Sequence, residues 1–116
     1  MLRVSSQMTG TAVDVRAVNG GGPADAGVEH SAALLAFTEA VMRGDSATTE
    51  REHLRMVLTP ESFVDVAAVI GSFNVVDRIA DATGIPLDPA MREVSQDIRD
   101  ELGLARFASA ANTPGA

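Results

Sequence analysis

A chain of 116 residues, of which 46% are apolar, fits one domain with one packed core. Aromatic residues make up only 3%, so the core must be built mainly from aliphatic side chains, which favours packed helices over a β-sandwich. The net charge is −7 and the chain has no Cys, which argues against nucleic-acid and anionic-membrane partners and excludes disulfides and thiol chemistry.

The start of the chain lacks the charged and apolar blocks of a secretory signal. No apolar run approaches the roughly 20 residues that a membrane span requires. The sequence therefore predicts a soluble cytoplasmic protein with no membrane partner, no cofactor and no metal.

Residues 1–24 are predicted to form a flexible or loosely docked arm. Apolar and charged residues alternate from Val13 to Ala17, which fits a short strand, although no partner strand is visible. The run Gly20-Gly21-Gly22-Pro23 then interrupts regular structure. No Lys-Ser or Lys-Thr follows these glycines, so a linker is favoured over a phosphate-binding loop.

The rest of the chain is predicted to be all-α. Four helices are expected at roughly 25–43, 50–58, 60–82 and 89–102, within a helical domain at 25–107 and before a flexible tail at 108–116. Asp25 is expected to cap the first helix and Gly44 to end it. The residues from Thr49 to Glu52 match a capping box for the second.

The third predicted helix is the longest, and the other helices are expected to pack around it. Thr59 is placed to cap it, Pro60 suits its first position, and Gly84 with Pro86 ends it. Asp88 is expected to cap the fourth helix in the same way.

The apolar face of the third helix changes side midway. The face of its first half is formed by Phe63, Val66, Ala67 and Ile70, and that of its second half by Phe73, Val76, Ile79 and Ala80. Such a helix is expected to contact different partners at its two ends, one of them potentially another subunit. Three phenylalanines are expected to anchor the core: Phe37, Phe63 and Phe73.

Two stretches carry a family resemblance. Residues 33–40 read ALLAFTEA, and residues 73–88 read FNVVDRIADATGIPLD. The first is similar to the "ALLAFAE" helix of the alkylhydroperoxidase D-like, or carboxymuconolactone decarboxylase, superfamily. The second resembles the "FN…NR.AD..G..LD" segment of the peroxidase-related branch, with Asp77 where that branch usually has a second Asn. The resemblance covers roughly residues 28–90, the C-terminal half of that fold.

The chain lacks the Cys pair on which this family's peroxidase activity depends. The family's peroxidase activity depends on a Cys-x-x-Cys pair, with nearby Glu and His, upstream of the "ALLAFAE" helix. Residues 1–27 contain no Cys, so no catalytic residue is carried over and thiol peroxidase activity by this chain is excluded. These residues are either a genuine arm or the remnant of a truncated reading frame.

The strongest polar cluster lies on the second half of the long helix. It consists of Asn74, Asp77, Arg78 and Asp81. These residues are three or four positions apart, so they share a face and can pair along it. We interpret them as a subunit contact or a pocket wall rather than as catalytic residues, and the alternative is a simple helix-stabilising network.

Other polar residues are given structural interpretations. Glu50 and His53 have the spacing of a di-iron helix motif, but a single copy cannot build that site. His30 beside Glu29 is a conceivable general base without a nearby nucleophile. His53 is therefore expected to be a surface residue beside a helix start, and His30 is not expected to act as a base.

Two functional hypotheses follow. The first is a non-catalytic, homo-oligomerising relative of the alkylhydroperoxidase D-like proteins, in which a second chain covers apolar helix surface. The second is a cysteine-independent, carboxymuconolactone decarboxylase-like enzyme, which would need a pocket lined by several ionisable groups. The small-molecule ligand of such a pocket is unknown.

Overall fold

A computed structural model describes residues 2–20 and 25–115, with side chains from residue 6 onward. These residues form an all-α structure without strands, which confirms the predicted fold class. Their α-helices are α1 (Leu2–Thr9), α2 (Ser31–Arg43), α3 (Thr48–Val57), α4 (Pro60–Thr83), α5 (Pro89–Val94) and α6 (Gln96–Leu102). Short 3-10 helices occupy Val15–Asn19, Leu104–Arg106 and Ala108–Asn112. Within the described ranges, no helix is both long enough and apolar enough to cross a bilayer.

The alternation from Val13 to Ala17 does not form a strand, because a 3-10 helix forms at Val15–Asn19 instead. Asp14 accepts hydrogen bonds from the backbone N–H of Arg16 at 3.0 Å and from its guanidinium at 2.9 and 2.7 Å. These local bonds favour a turn over an extended chain. The predicted glycine–proline linker falls largely in residues 21–24, which lie outside the described residues.

The first predicted helix begins later than expected. Asp25 does not cap it, because α2 starts at Ser31. The Asp25 carboxylate instead accepts from the Gly27 N–H at 2.8 Å and from the Ser31 hydroxyl at 3.0 Å, which folds residues 25–30 into a loop. The predicted end is confirmed, since Gly44 adopts a left-handed φ of 77°.

Two further helix predictions need correction. The capping box is wrong: α3 begins at Thr48, and Ala47 precedes it at a φ of 50° without a side-chain cap. The fourth predicted helix is divided into α5 and α6 at Ser95, whose hydroxyl donates to the Met91 carbonyl at 2.5 Å. Asp88 does cap α5 as predicted, accepting from the Ala90 N–H at 2.9 Å.

The long helix matches its sequence signals closely. The Thr59 hydroxyl accepts from the Ser62 N–H at 3.2 Å, and α4 begins at Pro60. It ends at Thr83, one residue beyond the expected end, and Gly84 follows at a φ of 64°. The cap, the proline and the glycine therefore act as predicted.

The contacts within the chain define two units, 1–71 and 72–116. The core of the first unit lies between α2 and α3 and contains Phe37, Ala40, Ala47 and Leu54, all buried. The expected face of the first half of α4 packs against it through Phe63, Val66 and Ile70. The rings of Phe37 and Phe63 lie 5.6 Å apart, which confirms both as core anchors.

The second unit, unlike the first, has no buried core among its described residues. No residue described between Ser72 and Gly115 is buried. The prediction that Phe73 anchors the core is wrong, because 64% of its surface is exposed. The remaining exposed large apolar residues of this unit are Val75, Val76, Ile79, Ile85, Met91, Val94, Leu104 and Phe107.

Candidate functional site

The second half of α4 carries an exposed apolar row, defined here as Phe73, Val76 and Ile79. The three residues recur every third position, so they lie on one side of the helix. Val76 is 61% exposed and Ile79 is 54% exposed. Exposed large apolar side chains are normal when they are scattered, but a contiguous set is typical of an interaction site.

The predicted polar cluster lies on the same helical segment. Asn74 is half-buried, and Asp77, Arg78 and Asp81 are exposed. The Arg78 Nε donates to Asn74 Oδ1 at 2.5 Å, along one turn of the helix. The structure therefore pairs two of the four residues directly.

Asp81 has a partner from the end of the chain. The Asn112 Nδ2 donates to Asp81 Oδ1 at 2.7 Å, which connects the 3-10 helix Ala108–Asn112 to the last turns of α4. No sequence pattern predicts this contact, because the two residues are far apart in the chain and an isolated Asn has no characteristic pattern. Because the pair is exposed, its contribution to stability is about 1 kcal/mol or less.

A cavity of about 480 Å³ lies in the first unit, beside the start of α2 and against α3. Both histidines of the chain line it, together with Asp25, Glu29 and Ser31. The sequence did not indicate that His30 and His53 share a cavity, since only the packing of α2 on α3 brings them to one place. None of the four cluster residues of α4 lines this cavity.

The hydrogen bonds that Asp25 and Ser31 make beside the cavity stay within the loop that precedes α2. Ser31 is buried, its hydroxyl donates to Asp25 Oδ1 at 3.0 Å, and its Oγ accepts from the Ala26 N–H at 3.0 Å. The Gly27 N–H, and secondarily the Ser31 hydroxyl, lower the pKa of the Asp25 carboxyl. A lowered pKa weakens a carboxylate as a base, and Ser31 donates to that carboxylate rather than to an imidazole. These contacts hold the loop and do not form a nucleophile–base pair.

The geometry around His30 also has a structural interpretation. His30 adopts a left-handed φ of 60° directly before α2, and its Nε2 lies 3.5 Å from Glu29 Oε1. This backbone conformation is uncommon for a non-glycine residue, but Ala47 adopts it too, in the buried core. In the described part of the chain, no three His, Asp or Glu residues converge to hold a metal ion.

Comparison of the chain with protein-family models, with curated proteins and with solved structures gave no match. The resemblance to the alkylhydroperoxidase D-like proteins therefore depends only on the residues quoted above.

Proposed function

We propose that this protein is a non-catalytic, homo-oligomerising helical protein and that a second copy of the chain covers the apolar row of α4. The observation that supports this most directly is the exposure of Phe73, Val76 and Ile79 on one side of a regular helix. The second half of α4 is also where the chain resembles the alkylhydroperoxidase D-like proteins, whose peroxidase residues it lacks.

The strength of the association can be estimated from the exposed surface. Complete burial of one large apolar side chain contributes about 1.5–3 kcal/mol, and these three are already partly covered. Covering the rest of the row on both copies therefore contributes about 6–10 kcal/mol. Association itself costs about 4–15 kcal/mol. The gain exceeds the cost only when that cost lies near the low end of its range, so the proposed oligomer is weak, reversible and dependent on protein concentration.

The charge of the chain predicts how salt acts on this equilibrium. Two copies each carry a net charge of −7, so they repel one another at low ionic strength. Salt screens this repulsion and strengthens self-association. A basic partner protein on the same row would show the opposite dependence, since screening weakens attraction between opposite charges.

We assign the polar cluster to the edge of this proposed interface. Asp77, Arg78 and Asp81 are exposed on the same segment of α4 as the row, where they form part of a polar rim around an apolar centre. A rim charge affects the rate and salt dependence of association more than its strength. Replacing Arg78 should therefore change the salt dependence and leave the oligomer intact.

The test is the solution mass of the full chain, measured by size-exclusion chromatography with light scattering. The monomer has a mass of 12.0 kDa. We expect the mass to rise above this value as the concentration increases, and to rise further when salt is added. A mass of one chain at every concentration and salt level would refute the proposal.

The second candidate is a cysteine-independent, carboxymuconolactone decarboxylase-like enzyme. One observation favours it: His30 and His53 line a single cavity with two carboxylates. The test is carbon dioxide release from a muconolactone-type acid by the full chain, with the His30→Ala/His53→Ala double variant as control. Equal release by both proteins, or none, would exclude this function.

A further inference from the structure

We propose that Asn19 is a site of spontaneous covalent modification, at which the side-chain amide is lost and an aspartyl or isoaspartyl residue forms. Asn19 is followed by Gly20, and no other Asn of the chain precedes a Gly. Asn is a thermolabile residue type, and a following glycine places no side chain beside the peptide nitrogen that reacts with it. Asn19 lies outside both the apolar row and the cavity, so its reactivity is independent of self-association.

The reaction uses only groups of the chain and water. The backbone nitrogen of Gly20, after its proton passes to solvent, attacks the side-chain Cγ of Asn19. The Cγ–Nδ2 bond breaks, the amide nitrogen takes up a proton from solvent and leaves as ammonia, and a cyclic succinimide remains. Water then opens this ring. Attack at the side-chain carbonyl gives aspartyl, and attack at the main-chain carbonyl gives isoaspartyl, in which the chain continues through the side chain.

The local structure leaves the peptide between Asn19 and Gly20 accessible. Asn19 is the last residue of the 3-10 helix Val15–Asn19 and is half-buried, while Gly20 is exposed. Within the described part of the chain, a Cβ built on Gly20 would meet no atom within 4 Å apart from its chain neighbours. The succinimide can therefore form without displacing residues packed against Gly20.

One backbone interaction opposes the attack, because it holds the Gly20 N–H. This N–H donates to the carbonyls of Ala17 and Arg16, and its nitrogen lies 3.5 Å from the Ala17 oxygen, a long distance for such a bond. The 3-10 helix has 5 residues, and helices of this type have poor hydrogen-bond geometry and fray at their ends. Loss of one such bond slows a reaction that requires it by about tenfold or less, so the folded chain should convert at about one-tenth of the unfolded rate or faster.

The other two Asn residues of the chain are internal controls. Asn74 precedes Val75 within α4, and Asn112 precedes Thr113. Both following residues are β-branched, which crowds the attacking nitrogen. The side chains of both Asn residues are also hydrogen-bonded, at 2.5 and 2.7 Å. Neither should convert in the folded chain during the time in which Asn19 does.

Conversion changes both the charge and the backbone of the chain. Either product adds one negative charge to the net charge of −7. The isoaspartyl product also inserts a methylene group into the main chain between Asn19 and Gly20. The Gly20 N–H then no longer keeps its place at the end of the 3-10 helix, whose residue Ala17 is buried. The modification is therefore expected to loosen this helix.

The experiment incubates the purified full chain in mildly alkaline buffer and follows each Asn by peptide mapping with mass spectrometry. Isoaspartyl residues are identified through methylation by a protein isoaspartyl methyltransferase. A parallel sample in concentrated urea gives the unfolded rate. We expect Asn19 to lose its amide in both samples, at a folded rate of about one-tenth of the unfolded rate or faster. Asn74 and Asn112 should keep their amides in the folded sample.

Two variants make the result specific. Gly20→Ala places a Cβ beside the attacking nitrogen and should slow the loss of the Asn19 amide. Ala is strained at the φ of 66° that Gly20 adopts, so this variant is compared with the original chain in urea, where the fold has no influence. Asn19→Gln keeps an amide but lengthens the side chain, and it should abolish isoaspartyl formation at this position in the folded chain.

Three results would overturn the inference. One is an Asn19 that keeps its amide in the folded chain, or converts there more slowly than about one-tenth of the unfolded rate. Another is faster conversion at Asn74 or Asn112 than at Asn19. The third is an unchanged rate for Gly20→Ala in urea, because the attack would then not involve the Gly20 nitrogen. None of these results bears on self-association, which the solution mass tests separately.

Discussion

Replacing Val76 by Ser should weaken self-association without weakening the fold of the first unit. Val76 lies at the centre of the apolar row, and 61% of its surface is exposed in the single chain. Ser and Val have similar helix propensities, so the change removes apolar area with little effect on α4 itself. The expected effect is therefore confined to the interface.

The size of the effect follows from the exposed area. Val→Ser removes two buried carbon groups, worth about 1.5 kcal/mol for a fully covered side chain at roughly 0.8 kcal/mol for each. About three-fifths of this surface would become covered on association, which gives about 1 kcal/mol for each copy. Two copies give about 2 kcal/mol, or about 30-fold in the dissociation constant.

Val64 provides a matched control on the same helix. It is the same residue type, 64% of its surface is exposed, and it belongs to the first half of α4, away from the row. Val64→Ser should leave the dissociation constant, measured by analytical ultracentrifugation, within about twofold of the original value. Equal weakening by both substitutions, or by neither, would refute the assignment of the interface to the row.

Three further predictions concern the first unit. Leu54→Ala should lower the free energy of unfolding by about 2–5 kcal/mol in urea titrations, because Leu54 is completely buried between α2 and α3. Ser31→Ala should lower the free energy of unfolding by about 1–3 kcal/mol, because the Ala26 N–H then lacks its acceptor. NMR titration of this variant should show the pKa of Asp25 returning toward its ordinary value. Hydrogen bonds from Arg16 lower the pKa of Asp14 from 3.8 to about 2, and the pKa of Asp25 is lowered too. Their contributions to stability are therefore complete above about pH 4 and should be lost as the pH falls toward 2, which acid titration of the unfolding midpoint can follow.

The helices with strong end signals could be predicted from sequence. Thr59 with Pro60 fixed the start of α4, and Gly44 and Gly84 marked two helix ends, because caps and left-handed glycines act locally. A local signal failed where other local hydrogen bonds compete for the same side chain. Asp25 has the right chemistry for a helix cap, but its carboxylate is used by the Gly27 N–H and the Ser31 hydroxyl.

The candidate sites were predictable only in part. The apolar and polar faces of α4 follow from helical period, so the row and the cluster could be placed on one segment. Periodicity does not say which apolar face is covered, and the prediction of a buried Phe73 was therefore wrong. The cavity with His30 and His53 depends on how α2 packs on α3, which no residue pattern specifies.

The most direct test of the account is the mass of the full chain as a function of concentration, at low and at high salt. We predict a reversible rise above 12.0 kDa that is stronger at high salt and is shifted by Val76→Ser but not by Val64→Ser. A mass that stays at one chain throughout would contradict self-association through α4. An oligomer that salt dissociates would contradict the assignment of the apolar row as its basis.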